Sequence, residues 1–212
     1  MSLQVKYMFG PIPRPEQRMP GGQTLLRGRV HEFCGAARVH LAVLVMADCA
    51  GPVVWICPGW QPERLYPDGV AAYADPGRLI LVRARRPEDI LWTMEEVLRS
   101  GAVPLVVAEV MAPPPLTPVR RMNLAAEAGT EAARIAGRIA PLGLLLTPGE
   151  GGAAGAESRW RMQPVVSEST LLEPQMTWRM ARVRARGAPP ASWHVLRDAE
   201  GALRVTPLAE AD

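Results

Sequence analysis

A glycine turn between a short alternating stretch and a long apolar segment gives this chain the spacing for nucleotide chemistry. Residues 29–33 alternate polar and apolar side chains, Gly35 can adopt the backbone angles of a tight turn, and residues 39–49 are apolar enough for a buried helix. In nucleotide-binding α/β domains, a strand, a turn and a helix in this order hold phosphate groups. The turn at Gly35 is therefore the first candidate site.

The side chains that bind phosphate are absent from this turn. A phosphate loop of the Gly-x-x-x-x-Gly-Lys-Ser/Thr type, counted from Gly35, needs a glycine at 40, a lysine at 41 and a hydroxyl at 42. The chain has His40, Leu41 and Ala42 at these positions. The second glycine, the ammonium that neutralises the phosphate and the hydroxyl that holds magnesium are all replaced. The sequence therefore predicts a degenerate pocket without a nucleotide cofactor.

No other lysine can supply the missing charge, because Lys6 is the only lysine in the chain and precedes the predicted domain. A charge pair at about 4 Å contributes about 4 kcal/mol at an effective dielectric of about 20, so a triphosphate site loses a large favourable interaction without it. Arg38 either replaces the lysine in part or is a solvated arginine in the first turn of the helix. We expect no catalytic residues at this turn.

Glu109 is the second residue that could take part in nucleotide chemistry. It stands near the end of the apolar run 103–110, which is typical of a buried strand. An acid at this place holds a magnesium-bound water in an ATPase. Alternatively, Glu109 caps a loop or pairs with Arg120 or Arg121. Because the phosphate turn lacks its side chains, we favour the structural role.

Composition predicts one globular α/β domain. The chain has 212 residues, 48% of them hydrophobic, which suits a domain with a sizeable core. No apolar run reaches the roughly 18 to 20 residues of a transmembrane helix, and the first residues do not resemble a signal peptide, so we expect a cytoplasmic protein without membrane contact. His31 and Cys34 would point to opposite faces of a strand, and Cys49 and Cys57 form no metal-binding pair with them, so we expect no metal site.

The order of elements predicts a mainly parallel central sheet with antiparallel strands at its C-terminal end. Strands and helices alternate up to residue 146, with the clearest helix over 87–100, and a run of strands follows. The predicted late strands cover residues 158–166, 176–186 and 192–205. We divide the chain into a Pro/Gly-rich N-terminal arm over 1–25, a domain over 26–205 and a C-terminal tail over 206–212.

Arginines crowd the late strands, against only Glu168 and Glu173 in the same segment. A basic, strand-rich segment can bind nucleic acid or an acidic partner surface, or it can be a solvated sheet face. Tryptophan and arginine are enriched at binding hot spots, although tryptophans on strands are more often core residues. The candidate partner or DNA surface consists of Arg159, Arg161, Trp178, Arg179, Arg182, Arg184 and Arg186.

Several local strings resemble the core of the RecA recombinase. Gly-Arg-Val-His-Glu-Phe-Cys-Gly at 28–35 is similar to the strand that enters the RecA phosphate loop, and residues 183–190 are similar to a late hairpin in which RecA carries two lysines. Within that superfamily, the chain most resembles the short RecA-like family called ImuA. The strings that carry this resemblance lie at 54–56, 95–102, 107–110, 120–126 and 158–162.

The resemblance implies a RecA-like three-layer α/β fold and an accessory role in DNA repair. ImuA-type proteins are associated with ImuB, a catalytically inactive relative of Y-family polymerases, and with an error-prone polymerase in translesion synthesis and mutagenesis during the SOS response to DNA damage. Contacts with RecA itself are a further expectation for the family. The resemblance thus implies an ImuB-like protein and an error-prone polymerase as partners, and an adaptor that acts through protein–protein interaction.

Departures from the RecA pattern affect the expected mechanism. Counted back from the similar tyrosine Tyr66, Gly59 occupies the position of the catalytic glutamate of RecA. The stretch 147–157, which corresponds to the second DNA loop of RecA, is short and contains no cation. The first hypothesis is therefore a pseudo-ATPase adaptor. The alternatives are an atypical ATPase that uses Arg38 and Glu109, direct DNA binding by the basic strands, and a cell-division inhibitor, which no feature of the sequence specifically supports.

Overall fold

The computed structural model describes residues 15–165 and 176–209. Four α-helices run along the described chain: α1 (Arg38–Asp48), α2 (Pro67–Ala71), α3 (Pro87–Ser100) and α4 (Leu116–Ile135). The first seven strands are β1 (Glu16–Arg18), β2 (Thr24–Leu26), β3 (Val30–Cys34), β4 (Val53–Pro58), β5 (Leu79–Ala84), β6 (Leu105–Glu109) and β7 (Leu142–Leu146). The last four are β8 (Ser158–Pro164), β9 (Met176–Ala185), β10 (Ala191–Arg197) and β11 (Leu203–Leu208).

A nine-stranded sheet with the order β11-β10-β9-β8-β3-β7-β6-β4-β5 forms the centre of the domain. The strands from β5 to β8 along this order are parallel, whereas β9, β10 and β11 join as antiparallel strands at one edge. The predicted fold class, a mainly parallel α/β sheet with antiparallel strands at its C-terminal end, is therefore confirmed.

Two core clusters, one on each face of the sheet, make the fold three-layered. The α1 side contains Leu41 and Leu44 of the helix together with Phe33, Trp55 and Trp160 of the sheet. The other side is filled by α3 and α4, whose apolar side chains pack on the opposite face of the same strands. The central strands β4, β6 and β7 are buried on both faces, which is why their sequences are continuous apolar runs.

Part of the predicted N-terminal arm is a hairpin that packs on the domain. Strands β1 and β2 pair in antiparallel fashion, and Met19 and Leu25 are buried in the core on the α1 side. The buried guanidinium of Arg27 donates hydrogen bonds to the carbonyl oxygens of Pro104 and Ala140, both at 2.9 Å. Residues 1–14 of the predicted arm, with Lys6, lie outside the described residues.

The last predicted strand, 192–205, is two strands in the structure. A turn separates β10 from β11, because Asp198 accepts a backbone hydrogen bond from Gly201 at 3.0 Å and donates one to Ala202 at 3.1 Å. The first part of the predicted tail, up to Leu208, belongs to β11, and residues 210–212 lie outside the described residues. Glu168 and Glu173, the two acids that the sequence analysis compared with the arginines, also lie outside the described residues.

Candidate functional site

The turn between β3 and α1 is tightly packed against the neighbouring strand β8. Gly35 has φ of +86°, a left-handed conformation that side chains other than glycine rarely adopt. A Cβ atom on Gly35 would overlap the carbonyl oxygen of Met162 on β8. The glycine is therefore required by the approach of β8 to the turn, which explains why it is present although the rest of the phosphate motif is missing.

The backbone amides of this turn donate hydrogen bonds to carbonyl oxygens of the protein itself. The Gly35 amide donates to the Gly149 carbonyl at 2.9 Å, and the Ala37 amide donates to the Met162 carbonyl at 3.0 Å. The Arg38 amide donates to the Gly35 carbonyl at 3.3 Å. In a phosphate-binding turn such amides point at the anion. Here a phosphate would have to break these hydrogen bonds before it could bind.

The first turns of α1 place apolar side chains where the motif would require polar ones. Leu41 and Ala42 are fully buried in the core. His40 stacks on Trp178 with ring centroids 4.3 Å apart and meets the edge of Tyr73 at 4.7 Å. Burial, together with the charge of Arg197, lowers the pKa of His40 to about 4. His40 is therefore a half-buried residue that is neutral at neutral pH.

Arg38, the cation nearest to the turn, is partly buried and donates to the Gly35 carbonyl at 3.3 Å. Its guanidinium thus interacts with the turn itself. Arg38 lies in the first turn of α1, and its main-chain amide also donates to the Gly35 carbonyl.

The two other positions of the degenerate pocket have structural contacts as well. Gly59 donates its amide to the Ala84 carbonyl at 2.8 Å, and a Cβ on Gly59 would lie 2.6 Å from that oxygen. Glu109 accepts a hydrogen bond from the indole nitrogen of Trp55 at 2.6 Å. Among the described residues, Glu109 forms no ion pair with Arg120 or Arg121, since Arg121 pairs with Glu95 at 2.9 Å. The carboxylate of Glu109 is therefore held by a core tryptophan.

Glu32, which the sequence analysis did not select, is the most completely hydrogen-bonded carboxylate near this site. It is fully buried on β3. Its Oε1 accepts from the Thr147 hydroxyl at 2.8 Å and from the amides of Gly152 and Ala153 at 2.7 and 2.9 Å. Its Oε2 accepts from Nε of Arg159 at 2.5 Å. A glutamate within the buried strand Val30–Cys34 was the available signal in the sequence.

The electrostatics of Glu32 show how a carboxylate remains ionised inside the core. Burial alone raises its pKa, but the hydrogen bonds from Ala153, Arg159, Thr147 and Gly152 together hold the pKa of Glu32 below its usual value. The same bonds fasten the stretch 147–157, which carries no cation, against the sheet. Glu32 thus fixes the stretch 147–157, whose Gly149 carbonyl accepts a hydrogen bond from the Gly35 amide of the turn.

The tryptophans of the late strands belong to the core. Trp178, which was assigned to the candidate partner surface, is only 7% exposed and stacks on His40, so this assignment is wrong. Trp160 and Trp193 are also buried. The guanidinium of Arg182 lies 5.8 and 5.5 Å from the centres of the Trp160 and Trp193 rings. Arg182 therefore belongs to the packing on the α1 side of the sheet.

A β-bulge divides the remaining arginines between the two faces of the sheet. Arg159 pairs with Arg184, but the next residue of β8, Trp160, pairs with Arg182. The extra residue on β9 places Arg182 and Arg184 on opposite faces. Arg184 donates to the Ala156 carbonyl at 2.5 Å, on the side of α3 and α4. The seven predicted surface residues therefore do not form one surface.

The predicted arginines on the α3 and α4 side are Arg159, Arg161, Arg179 and Arg184. Arg159 is bound to Glu32, and Arg161 pairs with Glu150. Arg186 follows β9 and lies 3.9 Å from Glu157.

Comparison with curated proteins supports the resemblance that the sequence strings indicated. No protein-family model matches the chain. Over 159 aligned residues, the chain is 32% identical to Protein ImuA of Caulobacter vibrioides, in strain NA1000 / CB15N and in strain ATCC 19089 / CIP 103742 / CB 15. This chain is ImuA-like. The alignment covers 68% of the ImuA-like chain and 59% of the Caulobacter protein, so the chain spans less than two thirds of the length of these relatives.

The ImuA-like chain has no described helix that is both long and apolar enough to cross a membrane. Its described helices instead cover the two faces of the sheet.

Proposed function

We propose that this ImuA-like chain is a non-catalytic accessory protein of damage-induced mutagenesis. In this proposal, its RecA-like domain is an adaptor in the cytoplasm that connects an ImuB-like protein with an error-prone polymerase during translesion synthesis. Contact with RecA during the SOS response is a further part of the proposal. The similarity to Protein ImuA supports the biological setting.

The observation that carries the non-catalytic part is the closed turn after β3. The amides of Gly35 and Ala37 donate hydrogen bonds to protein carbonyls at 2.9 and 3.0 Å. The position of the lysine in the phosphate motif is taken by Leu41, which is fully buried. Breaking these hydrogen bonds would leave carbonyl oxygens without their donors, at a cost of about 1 to 3 kcal/mol for each group that stays buried and unsatisfied. A phosphate would have to compensate for this cost without the lysine that normally neutralises it.

Further support comes from the position of the catalytic glutamate. The Gly59 amide donates a hydrogen bond to the Ala84 carbonyl oxygen. The same oxygen fills the space that a Cβ atom on residue 59 would need. A carboxylate cannot be placed at residue 59 without moving the end of β5. The residues at the lysine position and at the glutamate position both support a binding role for this fold without ATP hydrolysis of the RecA type.

The proposal is tested by assembling the complex from purified proteins. The chain, the ImuB-like protein and the error-prone polymerase encoded by the same organism are mixed in pairs and all together, and complexes are separated by size-exclusion chromatography. We expect a three-component complex that forms equally well with ATP and magnesium, with a poorly hydrolysed ATP analogue or without nucleotide. If the ImuB-like protein and the polymerase associate to the same extent without the chain, the adaptor proposal is wrong.

A further inference from the structure

The face of β8–β11 on the side of α3 and α4 is an open sheet surface. The core cluster beneath α3 and α4 contains residues of β3 to β7 and none of β8–β11. The strand register brings Gln163, Arg179, His194 and Thr206 into one row across this face. Arg179 and Thr206 are exposed, and Gln163 and His194 are half-buried. Within the described part of the chain, this face has no helix packed on it.

The open face is positively charged. The four strands contain no aspartate or glutamate. The register and the bulge place five arginines on the face: Arg159, Arg161, Arg179, Arg184 and Arg204.

Acidic residues outside the strands compensate only part of this charge. Glu32 binds Arg159 in the interior, and Asp198 lies 3.7 Å from Arg204. Glu150, the partner of Arg161, has a side chain that is 68% exposed, so water screens this ion pair. Among the described residues, Arg179 and Arg184 have no carboxylate partner. The face therefore keeps a net positive charge.

Most of the other described side chains of the face are polar, and none of them is a tryptophan, tyrosine or phenylalanine. Gln163, Ser192 and Thr206 carry amide or hydroxyl groups, which are frequent ligands of nucleic-acid phosphates. The tryptophans of the same strands are buried on the opposite face, so they cannot stack on bases. The register also places Leu196 and Leu208 on this face, the first half-buried beside Thr177 and Arg204 and the second exposed beside Ser192. The face therefore lacks the central aromatic anchor that is frequent in protein interfaces.

We propose that the open face of β8–β11 binds the phosphate backbone of nucleic acid without recognising its sequence. Four strands about 4.8 Å apart give a surface about 14 Å wide between β8 and β11. Duplex DNA carries one charge per about 1.7 Å of its axis, so a surface of this width faces several phosphates. The proposal goes beyond the adaptor function and is independent of it, because the face can hold nucleic acid whether or not an ImuB-like protein binds the chain.

The test measures binding of a fluorescently labelled oligonucleotide, single-stranded and as a duplex, by fluorescence anisotropy between about 50 and 200 mM salt. We expect affinity that falls steeply with salt and does not change when the base sequence is scrambled. The variant with Arg179→Glu and Arg184→Glu should bind about tenfold more weakly or worse, and Arg179→Ala alone should reduce the salt slope by about 1. Circular dichroism of the double variant should match that of the unaltered protein.

Arg85→Glu provides the matched control. Arg85 is exposed and follows β5 at the opposite edge of the sheet, so this substitution changes the net charge by the same amount per site as each reversal on the open face. It should leave the affinity nearly unchanged. Three results would overturn the proposal: no binding by the unaltered protein at low salt, equal losses in the control and the double variant, or competition by polyglutamate as effective as that by unlabelled DNA.

Failure of this proposal can be distinguished from failure of the adaptor proposal. The double variant is also tested for assembly with the ImuB-like protein and the polymerase. Retained assembly with lost oligonucleotide binding assigns the open face to nucleic acid. Lost assembly with unchanged oligonucleotide binding would show that the face binds protein and would overturn the proposal.

Discussion

The carboxylate of Glu32 accepts a hydrogen bond of 2.5 Å from the guanidinium of Arg159, and this buried pair joins β3 to β8. The same carboxylate binds Thr147 and the amides of Gly152 and Ala153. One residue thus connects the strand before the degenerate turn, the arginine-rich strand and the stretch that covers the turn. Hydrogen bonds within the protein therefore hold these three segments together.

Replacing Glu32 by glutamine should destabilise the domain and release the stretch 147–157. Glutamine keeps the size of the side chain but leaves the guanidinium of Arg159 without a counter-charge, and loss of one partner of a buried pair costs about 3 kcal/mol. Urea unfolding measures the change, and hydrogen exchange should become faster at Gly152 and Ala153. Glu131→Gln, in an exposed pair with Arg134, should change stability by less than about 0.5 kcal/mol. A Glu32→Gln loss no larger than that of the control would contradict this role.

Stability should decline as the pH falls below neutrality, because the buried His31 and the half-buried His40 both resist protonation in the folded chain. Burial lowers the pKa of both His31 and His40 to about 4 from 6.5. The unfolded chain therefore binds more protons than the folded chain between about pH 4 and pH 6.5, so stability rises with pH across this window and is complete above it. Glu32 contributes in the same direction at lower pH, since its pKa is lowered on folding and its contribution disappears as it becomes protonated.

His40→Phe isolates one of these histidines. Phenylalanine can stack on Trp178 as His40 does, and it has no ionisable nitrogen. Within the described residues, the imidazole Nε2 of His40 has no hydrogen-bond partner, so the substitution removes no described polar contact of that atom. We expect the variant to lose less stability than the unaltered protein between pH 6.5 and pH 4, measured by thermal unfolding. His194→Gln on the open face serves as the control, and an unchanged pH profile in His40→Phe would refute the assignment.

Arg182 should matter for stability and not only for surface charge. It lies over two buried tryptophans and donates to the Pro189 carbonyl at 2.9 Å and to the Gln23 side chain at 3.1 Å. Arg182→Ala should reduce the free energy of unfolding by about 1 to 2 kcal/mol. Arg179→Ala, which removes an exposed side chain of the same strand, should stay within about 0.5 kcal/mol. Equal effects of the two substitutions would show that the ring contacts contribute nothing.

Much of the fold could be predicted because its signals are local. The continuous apolar runs identified β4, β6 and β7, and the proline at 87 with the glycine at 101 identified α3. The bulge opposite Arg159 could not be predicted, because the extra residue on β9 is defined only by pairing with another strand. For that reason the sequence grouped Arg182 with Arg184, although they lie on opposite faces.

At the candidate site, too, local features could be predicted from the sequence and contacts between distant residues could not. Loss of the lysine, the second glycine and the hydroxyl could be predicted by counting from Gly35. Two other features could not be predicted, because they join residues more than 100 positions apart in the chain. These are the hydrogen bonds from the amides of the turn to protein carbonyls and those from the stretch 147–157 to Glu32. The hydrogen bond from Trp55 to Glu109 likewise joins two strands, so it could not be distinguished in sequence from a pairing with Arg120 or Arg121.

Gly35→Ala should test how closely β8 approaches the turn. The substitution combines an unfavourable left-handed conformation with overlap of the Met162 carbonyl. Gly137→Ala is the matched control, because Gly137 has φ of +65° and open space around it. The control should lose about 1 kcal/mol from backbone strain, and Gly35→Ala should lose at least about 1 kcal/mol more. Similar losses in urea unfolding would show that the turn is less closely packed than described.

Calorimetric titration of the purified protein with ATP and magnesium tests the central claim most directly. The account predicts no heat of binding and no shift of the thermal unfolding midpoint at millimolar nucleotide, with ATP or with a poorly hydrolysed analogue. The reason is that the Gly35 and Ala37 amides already donate to protein carbonyls and that Leu41 replaces the lysine. An active RecA protein in the same buffer is the positive control. Micromolar binding that is lost in Arg38→Ala would contradict the account and show that a nucleotide still occupies the turn.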